Sequence, residues 1–326
     1  VFADYADVAA WQWSEEVAGF LADTRPRSYC VQYGESDYAF VSRLLAEEGI
    51  GWCVEEDTDT PAGHRLQLFA DSRRFPEDIL SQSANGGQGL RYHRADSQED
   101  QDSILAFGQH QRLTSNLLSA VSYDYKAKQS ISLTIPGARN LGGPNAPQLE
   151  SYDAPGLYAW ANAGEAERYG RLAMEAREAR QSGWLGRSTV RSLRPGACFD
   201  LLGLPLDPGN SKVEHRYAPT DITHVGINNL SGDSMATIAK RLAQGNLYAD
   251  GEQLATGGWH HNPNDATQPV RAPLVLPSEI LKLAIERGYG NCFDAHAMAT
   301  PWRPQLEERS GARINPRPTA PGPMSA

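Results

Sequence analysis

The segment spanning residues 27–50 constrains the fold more than any other part of the chain. Tyr29 to Tyr33 alternate aromatic or β-branched side chains with polar ones, which predicts a half-buried strand. Gly34 ends that strand. Ser36 stands where a helix N-cap belongs, and Glu35 and Asp37 put negative charge at the positive end of the helix dipole. Phe40, Val41, Leu44 and Leu45 fall on one helical face. Gly49 is placed for a left-handed C-terminal cap, and Ile50, Trp52 and Val54 resume an alternating strand.

The residues fit a longer pattern, Tyr-x-x-Gln-Tyr-x-Glu-Ser-Asp-x-x-Phe-x-x-Arg-Leu-Leu-x-x-Glu-Gly-Ile. Tyr29, Gln32, Tyr33, Glu35, Ser36, Asp37, Phe40, Arg43, Leu44, Leu45, Glu48, Gly49 and Ile50 all match it. In this the segment resembles the hub region of VgrG, the spike protein family of bacterial type VI secretion systems. Any amphipathic helix after a strand explains the apolar spacing, but not the run Gln-Tyr-x-Glu-Ser-Asp. Further landmarks of the same family follow. They are Tyr152, Pro155 and Gly156 within residues 149–158; Pro195, Gly196 and Phe199 in a Leu-x-Pro-Gly-x-x-Phe-x-Leu run; Asn291 and Phe293 in Tyr-x-Asn-x-Phe-x-Ala; and Arg303 with Pro304 after Trp302. Tyr123-Asp124-Tyr125-Lys126 is similar to another family strand, and residues 221–227 fit loosely. The resemblance runs at intervals from about residue 26 to 304, with a gap at 230–288.

Composition excludes several classes. The chain has 326 residues, 40% hydrophobic and 21% charged, as globular material does. No apolar run reaches the length of a membrane span, and no signal peptide opens the sequence. It begins Val1-Phe2-Ala3-Asp4, which reads as the middle of a longer chain. Thirty Lys and Arg against 40 Asp and Glu argue against a large nucleic-acid-binding surface. Cys30, Cys53, Cys198 and Cys292 show no Cys-x-x-Cys spacing and suit a reducing compartment. Cys30 and Cys53 read as small buried hydrophobes within strands.

Along the chain, a loose helical period spans Val8 to Leu21, and residues 64–69 alternate as a strand. Residues 103–135 read as successive short strands, with Val121, Tyr123 and Tyr125 on one face. A helix is predicted from about Ala163 to Arg180, acidic at its start and basic at its end. Its thin apolar stripe (Leu172, Met174, Ala176) predicts a place on a surface or an interface. Strand material returns at residues 186–193, and Phe199 and Leu201 point to one side of the strand after Pro195-Gly196. Met235 to Gln244 and Ser278 to Arg287 read as helices, and residues 315–326 as a Pro-rich linker.

Chemistry is sparse. His260-His261 has no third ligand at a metal-binding spacing and reads as a solvated loop. Asn85-Gly86-Gly87-Gln88-Gly89 lacks the ending of a phosphate loop. Glu35 and Asp37 could pair as acid and base, but their place at a helix start already accounts for them. Glu47-Glu48 reads as a solvated helix face, and Tyr33 and Arg43 could pack together. Cys198 after Pro-Gly has no partner histidine nearby and reads as a buried strand residue. No catalytic, cofactor-binding or metal-binding residue is assigned.

The resemblance implies a mainly β fold with α (α+β): phage-baseplate-hub-like β-barrel domains with peripheral helices, incomplete at both ends. It divides the chain at residues 1–75 (strand-helix-strand region of a first barrel), 76–229 (β-rich barrel with one surface helix), 230–288 (insertion), 289–305 (closing strand) and 306–326 (linker toward an OB-fold). It implies a non-enzymatic homotrimer that joins the Hcp tube to a needle, contacts baseplate components and carries effectors. Such a protein is assembled in the bacterial cytoplasm and then exported. This chain by itself is expected not to form the ring. The alternatives are a prophage contractile-tail hub protein, which shares the fold, or the non-catalytic part of an effector-bearing member.

Overall fold

A computed structural model describes residues 1–27, 30–83, 86–93, 101–139, 147–204, 215–227 and 278–305, and the backbone of 259–262 and 265–271. Its strands are β1 (Ala10–Trp13), β2 (Gly51–Glu56), β3 (His64–Phe69), β4 (Leu90–Arg91), β5 (Ile104–Gln111), β6 (Leu117–Asp124), β7 (Gln129–Pro136), β8 (Glu150–Asp153), β9 (Ser182–Ser188), β10 (Phe199–Leu202), β11 (Arg216–Gly226), β12 (Trp259–Asn262), β13 (Asp265–Arg271) and β14 (Tyr289–Ala297). The α-helices are α1 (Glu15–Leu21), α2 (Asp37–Glu47), α3 (Ile79–Gln82), α4 (Ala163–Gln181) and α5 (Ser278–Arg287). The fold is mainly β with helices, as the sequence implied.

Among the described residues the strands form three main sheets. The N-terminal sheet runs β1-β3-β2, a second runs β7-β6-β8, and a six-stranded sheet runs β4-β10-β11-β14-β9-β5. The six-stranded sheet holds the largest core: Leu90, Ile104, Val190, Leu193, Phe199, Leu201, Tyr217, Phe293 and Ala295. Phe107 stacks on Trp184 at 4.9 Å, and Phe293 meets Phe199 edge-on at 6.1 Å. Gly186 on β9 makes this possible. A Cβ there would come within 2.1 Å of the Phe293 ring, so the aromatic lies flat against bare backbone. Phe199 and Leu201 share the inward face of β10, as their spacing predicts. β14 runs centrally, hydrogen-bonded to β11 on one side and β9 on the other.

Several local expectations change in the structure. Residues 30–33 form no strand, and Cys30 is exposed. The polar partners of Gln32 hold this stretch as a loop instead. Ser28 and Tyr29 lie outside the described residues. The Val8–Leu21 helix divides: the bulky indoles Trp11 and Trp13 belong to β1, which pairs in parallel with β3, and the helix starts only at Glu15. On β6 it is Leu118, Ala120, Ser122 and Asp124 that are buried. Val121 and Tyr123 do share one face, the outward one, and Tyr125, past the strand end, leaves the expected set. The backbone at His260-His261 is part of β12, paired with β13, rather than a loop. The expected helix at 235–244 lies outside the described residues.

Of the two places expected for α4, a surface or an interface, it takes the interface. Ala166, Gly170, Met174 and Glu178, four residues apart, are buried on one side, and Leu172, Ala176 and Ala179 are buried on another. Gly170 abuts Leu133 and Ile135 of β7, while Leu172 sits over Gly49. The helix therefore lies between two layers. Its single apolar stripe looked thin because two stripes share the apolar residues and small Ala and Gly fill both.

Candidate functional site

The signature residues open on the N-terminus of α2. Ser36 Oγ accepts the Ala39 N–H at 3.3 Å, which caps the helix as the sequence predicts. Glu35 turns back along the helix and takes a two-point bond from Arg43, Nη2 at 2.6 Å and Nε at 3.2 Å. The Arg43 guanidinium lies 5.5 Å from the Phe40 ring centre. Asp37 turns the other way. It accepts from Gln32 Nε2 at 2.7 Å and from Tyr5 Oη at 2.8 Å, and these bonds hold its carboxyl below the usual carboxylate range. Glu35 and Asp37 thus have separate partners and do not converge on a common point. Tyr33 is 89% exposed and Arg43 is engaged with Glu35.

At the far end of α2 the sequence expectation fails. Glu47 and Glu48 are not a solvated face. Arg27 reaches both, Nη1 to Glu47 and Nη2 to Glu48, each at 2.5 Å. Glu47 is 6% exposed. Glu48 also accepts from Tyr169 Oη on α4 at 3.0 Å and lies 3.9 Å from Arg168 Nη2. Burial works against the charge on Arg27, but the two glutamates outweigh it and raise its pKa. Leu45 packs in the cluster of Val17, Ile50, Leu68 and Ala70, and Leu44 O accepts the Glu48 N–H.

Gly49 closes α2 at φ +75°, the left-handed geometry its position predicts. A Cβ there would come within 2.7 Å of Leu172, so glycine serves both the turn and the approach of α4. The Gly49 carbonyl accepts from Arg303 Nη1 at 3.0 Å, and the same nitrogen also donates to Ala70 O. Arg303 Nε donates to Glu175 on α4 at 2.6 Å, and its guanidinium lies 5.0 Å from the Phe20 ring centre. Its own carbonyl accepts from Arg180 Nη1 at 3.2 Å. Arg303 is 6% exposed. A buried arginine that lost one partner would leave an uncompensated charge, at a cost of about 3–5 kcal/mol. A single side chain near the end of the described residues therefore ties together α1, the α2–β2 turn, β3 and α4. A shallow cleft of about 370 Å³ opens beside it, lined among others by Phe20, Arg168, Leu172, Glu175 and Arg303.

The other landmarks are structural too. Pro195-Gly196 turns the chain with Gly196 at φ +84° against Cys53 Sγ, and burial pushes the Cys53 thiol up to about 12. Cys198 is 1% exposed and burial raises its thiol as well. The fully buried Asn291 donates to Val190 O at 2.8 Å and accepts from Ser188 Oγ at 2.7 Å, bridging β14 to β9. Ser122 Oγ donates to Gly156 O at 2.7 Å, which fixes the Pro155-Gly156 turn, while Tyr152 on β8 is 67% exposed. Pro304 is half-buried beside Arg303. Among the described residues no three or more His, Cys, Asp and Glu side chains are grouped to hold a metal ion, and no helix is long and apolar enough to cross a membrane.

Sequence reading missed Arg27, Phe20, Arg168, Tyr169 and Glu175 as members of this joint. Only Arg27 had a local signal, its place at the start of the matched segment. The others meet α2 and Arg303 from more than a hundred residues away, or through packing alone.

A family model described as phage tail baseplate hub (GPD) matches residues 1–230. Among curated relatives, the type VI secretion system spike protein VgrG1b of Pseudomonas aeruginosa is 28% identical over 193 residues, which cover 57% of this chain and 24% of that one. VgrG4b of the same organism is 33% identical over 133 residues, 40% of this chain and 15% of that one. The chain spans about a quarter or less of the length of these relatives. Solved structures with a similar outline include an E. coli component of the type VI secretion system (TM-score 0.43, 14% identity, 94% of this chain and 47% of that one) and the 43 kDa tail protein of prophage MuSo2 from Shewanella oneidensis (TM-score 0.41, 9% identity, 66% and 54%).

Proposed function

The chain belongs to the phage tail baseplate hub (GPD) family, and from that membership we propose that it is the hub portion of a type VI secretion spike. In this reading three copies form a ring that joins the Hcp tube to a puncturing needle and carries effectors outward. Assembly takes place in the bacterial cytoplasm, and contraction supplies the energy. The divisions at residues 75, 229, 288 and 305 belong to the same proposal. The role is mechanical and non-catalytic.

One observation supports the mechanical reading above others. The acids and arginines of the signature and their neighbours are already paired: Glu35 with Arg43 along α2, Glu47 and Glu48 with Arg27, and, between layers, Glu48 with Tyr169 and Arg303 with Glu175 and two carbonyls. A part loaded along its axis needs such fixed joints. A catalytic centre needs free, convergent groups. The test uses the protein within its full reading frame. It should elute as a trimer by light scattering and co-purify with Hcp; a monomer that leaves Hcp behind would overturn the proposal.

A further inference from the structure

Two surface patches carry charge that their own surroundings leave unanswered. The first is the tip of the β6–β7 hairpin. Asp124 Oδ1 accepts the Lys126 and Ala127 N–H groups at 2.8 and 3.0 Å, which folds the turn tightly. Lys126 and Lys128 stand exposed on it, and neither forms an ion pair with a described residue. Tyr123, Tyr125 and Leu157 beside them are between 43% and 51% exposed. Lys126 Nζ lies 4.7 Å from the Tyr158 ring centre. The backbone is strained here: Lys128 (φ +56°) and Tyr158 (φ +54°) are the two non-glycine residues with positive φ among the described residues. The Tyr158 N–H is held by the Tyr123 carbonyl at 2.9 Å. Strain of this kind clusters where side chains are held out for a partner.

The second patch is a strip of the outer face of the six-stranded sheet. Phe293, Ile222, Trp184 and Phe107 point into the core, so their strand neighbours Asp294, Asp221, Leu185 and Gly108 point away from it. Register lines these four up in one row across β11, β14, β9 and β5, about 14 Å long at about 4.8 Å per strand. The helix α5 covers this face farther along, over Val225 and Cys292, and leaves Asp221 and Asp294 exposed. Two carboxylates thus stand directly opposite each other on neighbouring strands, an arrangement that repels. Burial and then Asp221 raise the Asp294 carboxyl, against a weaker pull from His110 and Arg112. Neither aspartate forms an ion pair with a described residue. Leu185 is 54% exposed, and a Cβ on Gly108 would meet nothing within 4 Å.

Each patch carries what the other lacks. One offers two ammonium groups beside tyrosines and a leucine. The other offers two carboxylates beside a leucine and bare backbone, on which a ring can lie flat as Phe293 lies on Gly186. A closed ring of like subunits needs such a pair, because each copy presents two different surfaces, one to each neighbour. Resting on the ring proposed above, we propose that the two patches meet between neighbouring copies. Lys126 and Lys128 of one copy pair with Asp221 and Asp294 of the next, and Tyr123 and Tyr125 pack over Leu185 and Gly108.

Carbodiimide coupling tests this, because it joins a lysine to a carboxylate only where the two touch. The protein in its full reading frame is prepared as an equal mixture of unlabelled and heavy-nitrogen chains, sized by light scattering, coupled and mapped by mass spectrometry. Lys126 or Lys128 should be found joined to Asp221 or Asp294, with about half of the joined pairs of mixed isotope, as contact between copies in a ring requires. A chain carrying Lys126→Asp, Lys128→Asp, Asp221→Lys and Asp294→Lys should couple in the reverse sense with a yield within about twofold, since complementary charge is kept. A trimer without these joined pairs, pairs of a single isotope throughout, or a charge-swapped trimer that does not couple would overturn the pairing of patches and leave the ring standing. A protein that is not trimeric would overturn both.

Discussion

The N-terminal sheet and the six-stranded sheet solve the same problem by different means. The six-stranded sheet is held by interlocked rings: Phe199, Phe293, Tyr217, Phe107 and Trp184 pack together, Phe293 lies on the bare backbone of Gly186, and the landmarks Phe199, Phe293 and the hydrogen-bonded Asn291 are buried. The N-terminal sheet has three strands and a small core, and it exposes much of its aromatic surface. Polar bonds reach from it to the rest, from Arg303 to Glu175 and the Gly49 and Ala70 carbonyls and from Glu48 to Tyr169, beside the contact of Gly49 with Leu172. The contrast shows that a family signature can mark two kinds of stabilisation. In one region it marks packing and in the other it marks joints.

The comparison can be broken at either sheet. Phe293→Ala should cost about 4 kcal/mol in denaturant unfolding, because the ring leaves a cavity that glycine backbone cannot fill. If it costs under about 1 kcal/mol, the interlocked core is not the stable body. Arg303→Met should cost about 3 kcal/mol or more, since Glu175 and two buried carbonyls lose their donor. Its distinctive effect is regional. Hydrogen exchange should accelerate in β2 and β3 while β14 keeps its protection. Equal acceleration in both would mean that the joint is no boundary.

Much of this was legible in the sequence, but unevenly. The α2 cap, the Gly49 turn and the inward pair Phe199 and Leu201 depend on neighbours within a few residues, so spacing alone reveals them. Residues 30–33 misled because alternation says nothing about whether a partner strand is present. Glu47 and Glu48 read as solvated because adjacent acids usually are. Arg168 and Tyr169, which meet Glu48, come from α4, about 120 positions on, and no local pattern encodes that meeting. The double burial of α4 was hidden for a related reason, since alanine and glycine carry little hydrophobic signal.

A third prediction sharpens the comparison through pH. His296 on β14 is 4% exposed, and burial, outweighing an interaction with the Ala218 backbone, lowers its pKa to about 4 from the ordinary 6.5. The folded state therefore disfavours the proton. The stabilisation from this site is complete above about pH 6.5 and is lost as pH falls toward 4, up to about 3 kcal/mol. His296→Leu should flatten that slope in urea unfolding series; an unchanged slope would place the acid sensitivity elsewhere. The smallest effect expected is at the cap. Ser36→Ala should cost about 1 kcal/mol, with lost helicity confined to the first turn of α2, and a neutral result would mean that Arg43 and Glu35 hold the helix start unaided.

A helix clad on both flanks behaves like a spline in its slot. For α4 to slide or tilt, Gly170 must part from β7 and Leu172 from Gly49 in the same movement. Shear applied to either layer therefore meets the packing of the other at once.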